Sequence, residues 1–184
     1  HVYDEVSQTV SQDQELQRRI KEGDGSAFTE LYSRYKQSLY TYCTLFVGRS
    51  SAADDIFQEV FLSTLEKIRS GQEIVQIEGY LFRNARNRCY NTLRDLKYSK
   101  DVYEMEESLP DLSDNHSELQ ERLRDAVQEL PDELREPLVL CDYQGYSYEE
   151  ISVITDVPVS TLRKRLFRAR NKLRTMLNPG TNRQ

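Results

Sequence analysis

The chain has 184 residues, with 31 acidic and 25 basic side chains, a net charge of −6 and a mean hydropathy of −0.74. That length suits one medium or two small domains, and no apolar run is long enough to cross a bilayer. The only histidines, His1 and His116, and the scattered Cys43, Cys89 and Cys141 show no metal-ligand spacing, which argues against a histidine- or thiolate-based centre.

No basic stretch followed by an apolar one opens the chain, so no signal peptide is visible and a cytoplasmic location is expected. The cysteines read as small buried residues in a reducing compartment. No phosphate-binding glycine loop or nucleophile motif appears, so neither a cofactor nor a catalytic role is expected. The adjacent pairs Asp54-Asp55 and Glu149-Glu150 would point apart on a helix, which suits them poorly to general acid–base work.

Residues 1–12 lack a periodic pattern and are expected to form a mobile tail. From Asp13 the pattern turns helical through Leu16 and Ile20, and Gly23-Asp24-Gly25 breaks it. Ala27, Phe28, Leu31, Tyr32, Tyr35, Leu39, Tyr40, Tyr42 and Cys43 then recur at helical spacing, predicting one long helix over 26–47 that Gly48 ends. The spacing turns most of these tyrosines toward a core. A second helix, 51–70, places Ala53, Ile56, Phe57, Val60, Phe61 and Leu65 on one face and Asp54, Asp55, Gln58, Glu59 and Ser63 on others. That acidic surface either solubilises or meets a basic partner. Residues 70–78, with Gly71 and no stripe, read as a loop. A third helix, 79–97, carries Tyr80, Leu81, Phe82, Ala85, Cys89, Leu93 and Leu96 together with Arg83, Arg86, Arg88, Arg94, Lys97, Asn84, Asn87 and Asn91. Rings interleaved with Arg and Asn suit unpaired bases, which stack on rings and bond to amides. A helix with core aromatics and solvated arginines fits the same pattern.

Residues 101–118 contain Asp101, Glu104, Glu106, Glu107, Asp111, Asp114 and Glu118 and no Lys or Arg. Pro110 and the Ser-Asp-Asn run argue against a continuous helix, so this stretch reads as a flexible acidic linker between two domains, 13–100 and 119–178. Helices resume with Leu119, Leu123, Val127 and Leu130. Pro131-Asp132 opens the next helix, whose Leu134, Leu138, Val139 and Leu140 are available as core, and 179–184 is a terminal tail. The predicted fold class is all-α, as two small helical domains with no defensible strand.

The stretch 146–177 carries the clearest functional signal. Ser147 and Glu150 fit a capping box opening a short helix over 147–155. Asp156 tolerates the left-handed backbone a tight turn requires. On the next helix Leu162, Leu166, Ala169, Leu173, Met176 and Leu177 form one stripe, opposite Lys164, Phe167, Arg168, Asn171 and Arg174. Ser160 or Thr161 is the expected N-cap. Residues 157–184 hold no Asp or Glu, so cations such as Lys164 and Arg168 repel one another and gain from an external anion. Phe167 among cations, away from the apolar stripe, suits a thymine methyl. Helix, tight turn and basic second helix make a helix-turn-helix whose second helix is built to lie on nucleic acid. The net negative charge does not oppose this, because basic residues concentrate at 83–100 and 163–174 and patches govern binding.

Three blocks, GDGSAFTELYSRYKQSLYTYC, DDIFQEVFLSTLEKI and GYLFRNARNRCYNTLR, resemble the first conserved domain of bacterial RNA polymerase sigma factors of the extracytoplasmic-function group. LPDELREPLVLCDYQGYSYEEISVITDVPVSTLRKRLFRARNKL resembles their second. The resemblance spans about 13–177 and implies a transcription initiation factor rather than an enzyme. It implies that the helix around Asp55, Gln58 and Glu59 docks on the coiled coil of the polymerase β′ subunit, with the β flap as a further contact. It implies that Arg83, Asn87 and Arg88 hold the melted −10 promoter strand while loop 70–78 cups a flipped base. Ser160, Thr161, Arg163, Lys164, Phe167 and Arg168 would read the −35 element, and the acidic linker would thread the RNA channel. An anti-sigma protein is an implied further partner. The chain departs from the usual pattern where Thr64-Leu65 and Tyr80 replace Trp, Asn84 an aliphatic residue, Asp156 the turn glycine and Lys164 a small residue. These neighbourhoods set promoter preference. Two other readings remain open to the sequence: a stand-alone helix-turn-helix regulator, which binds duplex DNA by itself, and an adaptor bundle that binds none.

Overall fold

A computed structural model describes residues 2–48, 51–100 and 118–178, with side chains from residue 12 onward and up to residue 96 in the second stretch. Its helices are α1 (Val2–Lys21), α2 (Gly25–Val47), α3 (Ser51–Arg69), α4 (Ile77–Lys100), α5 (Glu118–Gln128), α6 (Asp132–Leu138), α7 (Tyr148–Thr155) and α8 (Val159–Leu177). A π-helical turn, Val139–Tyr143, continues α6. The all-α class predicted from periodicity is what the described residues adopt. The expected linker lies outside them apart from Glu118, which opens α5; so does the tail 179–184.

Helices α1–α4 form one bundle. Its core takes Leu31, Leu39, Tyr42 and Phe46 from α2, Val60, Phe61 and Ile68 from α3, and Leu81, Phe82, Ala85 and Cys89 from α4. Asp24 caps α2 by accepting from the Ser26 backbone N–H at 2.9 Å, and Gly48 ends it at φ 90°, a value that suits glycine. Helices α5–α8 form the second bundle, in which Leu162, Leu166 and Ala169 of α8 pack under α5, α6 and α7. The predicted capping box of α7 is present: Ser147 Oγ accepts from Glu150 N at 3.2 Å, and Glu150 Oε2 accepts from Ser147 N at 2.8 Å. Asp156 makes the turn at φ 57°, ψ 33°, the left-handed conformation expected of it.

Several boundaries differ from expectation. Helix α1 starts at Val2, so residues expected to be an irregular tail continue it; Val2, Val6 and Val10 are spaced four apart, a sparse stripe that helical reading passed over. Pro158 rather than Ser160 or Thr161 occupies the N-cap position of α8. Its ring holds φ at −57° with ψ at 141°, so the helix begins one residue later and both hydroxyl residues fall in its first turn. Leu96 is exposed along with residues 94 and 95, because α4 has outrun the helices it packs on. Leu119 and Tyr40 are exposed too.

The two bundles are docked on each other through a polar cluster that periodicity does not reveal. Glu136 of α6 is only 2% exposed and faces α2 and α4. Its carboxylate accepts from Arg86 Nε at 2.5 Å, Tyr90 Oη at 2.9 Å and, more weakly, Tyr42 Oη at 3.4 Å. Burial comes first in pushing the Tyr42 and Tyr90 phenols up, with the Glu136 charge next, so both stay protonated donors. The neighbouring Arg135 donates to the carbonyl oxygens of Phe46, Gln128 and Leu130, satisfying acceptors at the ends of α2 and α5. Tyr146 donates to Glu78 at 2.5 Å and sets its ring edge-on to Phe82, 5.4 Å between centroids.

Candidate nucleic-acid interface

Two cationic surfaces stand out, one on each bundle. On α8 the burial of Leu162, Leu166 and Ala169 turns the opposite side to solvent, and Ser160, Arg163, Lys164, Phe167 and Arg168 are all exposed. Thr161 is half-buried. Three flanking cations are occupied: Arg165 lies 3.7 Å from Glu133, Arg170 2.6 Å from Asp142, and Arg163 leans over the Tyr148 ring at 5.9 Å. Among the described residues Lys164 and Arg168 have no carboxylate partner. Phe167 is 67% exposed between them, an apolar ring with no core to join. The helix therefore presents a narrow outward strip of two cations and one ring on a rigid, buried back.

On α4, Arg83 and Asn87 are exposed one helical turn apart, and Arg83 Nε donates to the Gly79 carbonyl at 3.1 Å. Beside them Lys67, Glu73, Ile74, Val75, Gln76, Tyr80 and Arg83 line an open cleft of about 280 Å³. One wall is the loop 70–76, two residues shorter than expected because α4 already begins at Ile77. Gln17 of α1, 2% exposed, fixes that loop by donating to the Ile74 carbonyl at 2.7 Å and accepting from its N–H at 2.9 Å. Lys67 Nζ sits 4.4 Å from the Tyr80 ring centre. The cleft combines a ring, two cations, the Glu73 carboxylate, the Gln76 amide and the apolar Val75, with one wall tied to α1 through Gln17.

The third predicted set lies on α3. Asp55, Gln58 and Glu59 are exposed on one face with Leu62, which is 57% exposed. Leu62 was not singled out from the sequence, although its place seven residues after Asp55 puts it on that face. Arg88 is not a free cation: its Nη1 donates to Glu59, so the structure joins a residue assigned to DNA with one assigned to polymerase.

The sequence matches the sigma-70 region 2 family over residues 31–98 and the sigma-70, region 4 family over residues 120–173. It is 31% identical to the ECF RNA polymerase sigma-E factor of Haemophilus influenzae, over 91% of this chain and 96% of that one. The chain belongs to the extracytoplasmic-function group of the sigma-70 family. This sigma factor is also 32% identical to the ECF RNA polymerase sigma-E factor of Escherichia coli K12, over 91% of its own length and 95% of the relative's. It is 27% identical to the RNA polymerase sigma-H factor of Pseudomonas aeruginosa, covering 93% and 96%. Its fold is similar to that of RpoE crystallised with the anti-sigma factor NepR from Bartonella quintana, at TM-score 0.68 and 22% identity, covering 85% and 98%. It is also similar to that of CnrH in complex with the cytosolic domain of CnrY, at TM-score 0.66 and 19% identity, covering 92% and 99%. Each cationic surface falls within one of the two matched regions, and the match to both removes the stand-alone regulator. No helix of the described residues is long and apolar enough to cross a membrane.

Proposed function

We propose that this sigma factor binds core RNA polymerase, reads a −35 element with α8 and captures the melted −10 strand with α4 and the adjoining cleft. Arg163, Lys164, Phe167 and Arg168, with Ser160 and Thr161 at the helix start, enter the major groove, where Arg and Lys bond to guanine and an apolar side chain meets the thymine methyl. Arg83, Asn87 and Arg88 hold the single strand, and an unpaired base stacks in the cleft beside Tyr80. Asp55, Gln58 and Glu59 dock on the β′ coiled coil, and the second bundle meets the β flap. The acidic linker follows the polymerase channel. The chain hydrolyses nothing, so opening is driven by binding energy, each stacked base contributing about 1–3 kcal/mol. It works in the cytoplasm, and an anti-sigma protein holding both bundles is its negative regulator.

The observation that carries this reading is the pairing of two exposed cationic surfaces with two sigma-70 regions in one chain. Run-off transcription with purified core polymerase on a genomic library tests it. New start sites are expected only when both are present. A chain that neither associates with core nor redirects start sites overturns it, and specific duplex binding by the chain alone would revive the stand-alone regulator.

A further inference from the structure

A hydrogen-bonded chain runs from α3 to α4 beneath the strand-binding surface. Ser63 Oγ donates its proton to the Val60 carbonyl at 3.1 Å, which leaves its lone pairs as acceptors. Asn84 Nδ2 donates to that oxygen at 2.8 Å. The amide orientation is thereby settled, and Asn84 Oδ1 accepts from Arg88 Nε at 3.0 Å. A flipped amide would set two donors face to face at Arg88 and strip Ser63 of its donor. Arg88 is therefore gripped at Nε by Asn84 and at Nη1 by the exposed Glu59.

We propose that Asn84, anchored by Ser63, is a positioning residue that aims the Arg88 guanidinium at a phosphate of the −10 strand. This rests on the reading of Arg88 as a strand-binding residue. Guanidinium recognises phosphate best through two parallel N–H donors. With Nε held by Asn84, the fork presents its two terminal nitrogens outward, end-on. Glu59 occupies one of them in the free chain. When polymerase engages Glu59, that nitrogen is released and the Asn84 contact alone keeps the fork oriented. Ordering the long side chain in advance removes an entropic cost from strand capture.

The test is a double-mutant cycle on holoenzyme assembled with purified core polymerase. The probe is a promoter fragment recovered from the run-off experiment, premelted over the −10 element, with a fully duplex fragment as control. Arg88→Ala is expected to weaken binding to the premelted probe about tenfold or more. Asn84→Leu and Ser63→Ala should each weaken it about threefold, with duplex binding unchanged. In the Arg88→Ala background Asn84→Leu should add nothing, because there is nothing left to position. If Asn84→Leu keeps its full effect in that background, Asn84 acts through packing and the proposal is overturned. It is equally overturned if Arg88→Ala weakens capture while Asn84→Leu and Ser63→Ala do not. If Arg88→Ala itself has no effect, the strand-binding role on which the proposal rests fails first.

Discussion

Replacing Glu136 by alanine tests the docking of the two bundles. The carboxylate is 2% exposed and serves three donors from the partner bundle. Its removal leaves the fully buried Tyr42 hydroxyl without its acceptor, a cost of about 1–3 kcal/mol. It also leaves the Arg86 guanidinium, whose side chain is 25% exposed, short of its counter-charge. Breaking one side of a buried ion pair costs about 3–5 kcal/mol, and partial access of Arg86 to water places the expected loss near the lower end, at about 3 kcal/mol. Glu136→Gln keeps one carbonyl acceptor and should lose about half as much. Urea denaturation of the full chain, followed by circular dichroism, measures both. A loss under about 1 kcal/mol for Glu136→Ala would mean that the bundles are not held together by this cluster.

Three other outcomes follow from the same geometry. Leu162→Ala should destabilise the second bundle by about 2–5 kcal/mol, since Leu162 is fully buried; thermal unfolding shows it. Arg168→Ala should leave stability unchanged but weaken holoenzyme binding to a −35 duplex by about 1–3 kcal/mol and relax choice at one base, measured by fluorescence anisotropy on single-substitution probes. Asp24 is held down to about 2, first by the Ser26 hydroxyl and then by Arg19. A depressed carboxylate adds stability above its unfolded value near 3.8 and loses it as pH falls through about 2. The stability gap between wild type and Asp24→Asn should therefore narrow from pH 5 to pH 2, and a gap that stays constant would refute the assignment.

Much of the fold was legible because α2, α3, α7 and α8 carry period-3.6 stripes that supply most of their buried residues. Ala53, Ile56, Val60 and Phe61, and Leu162, Leu166 and Ala169, are cases in point. Glycine and Asp signals placed the breaks at Gly48 and Asp156 within a residue. The outward strip of α8 was legible for the same reason: a helix with a fixed buried side leaves only one side for Lys164, Phe167 and Arg168. The contacts between elements were not legible. Glu136 and Arg135 sit in a short helix where charge ordinarily means solvent; Tyr42, Arg86 and Tyr90, from far away in sequence, enclose Glu136, and the distant Phe46 carbonyl receives Arg135. Gln17 and Asn84 act through partners 57 and 21 residues away, which no local pattern encodes. The tail and helix boundaries failed where the signal was sparse, as at Val2–Val6–Val10, or where a proline occupied the position expected of a hydroxyl residue.

The shared seat of the two bundles has a bearing on distance. About 160 residues packed together have a radius of gyration of about 15 Å, a body some 40 Å across. Elements centred about 25 base pairs apart on DNA lie about 85 Å apart at 3.4 Å per step. A folded ruler of that length cannot lie on both marks. The stretch from Lys100 to Glu118 reaches at most about 60 Å when fully drawn out, enough to bridge the gap once the halves separate. On the proposed placement of α8 and α4 on the two elements, whatever free energy Glu136 and its three donors contribute to closure is free energy that polymerase has to overcome before promoter spacing can be measured at all.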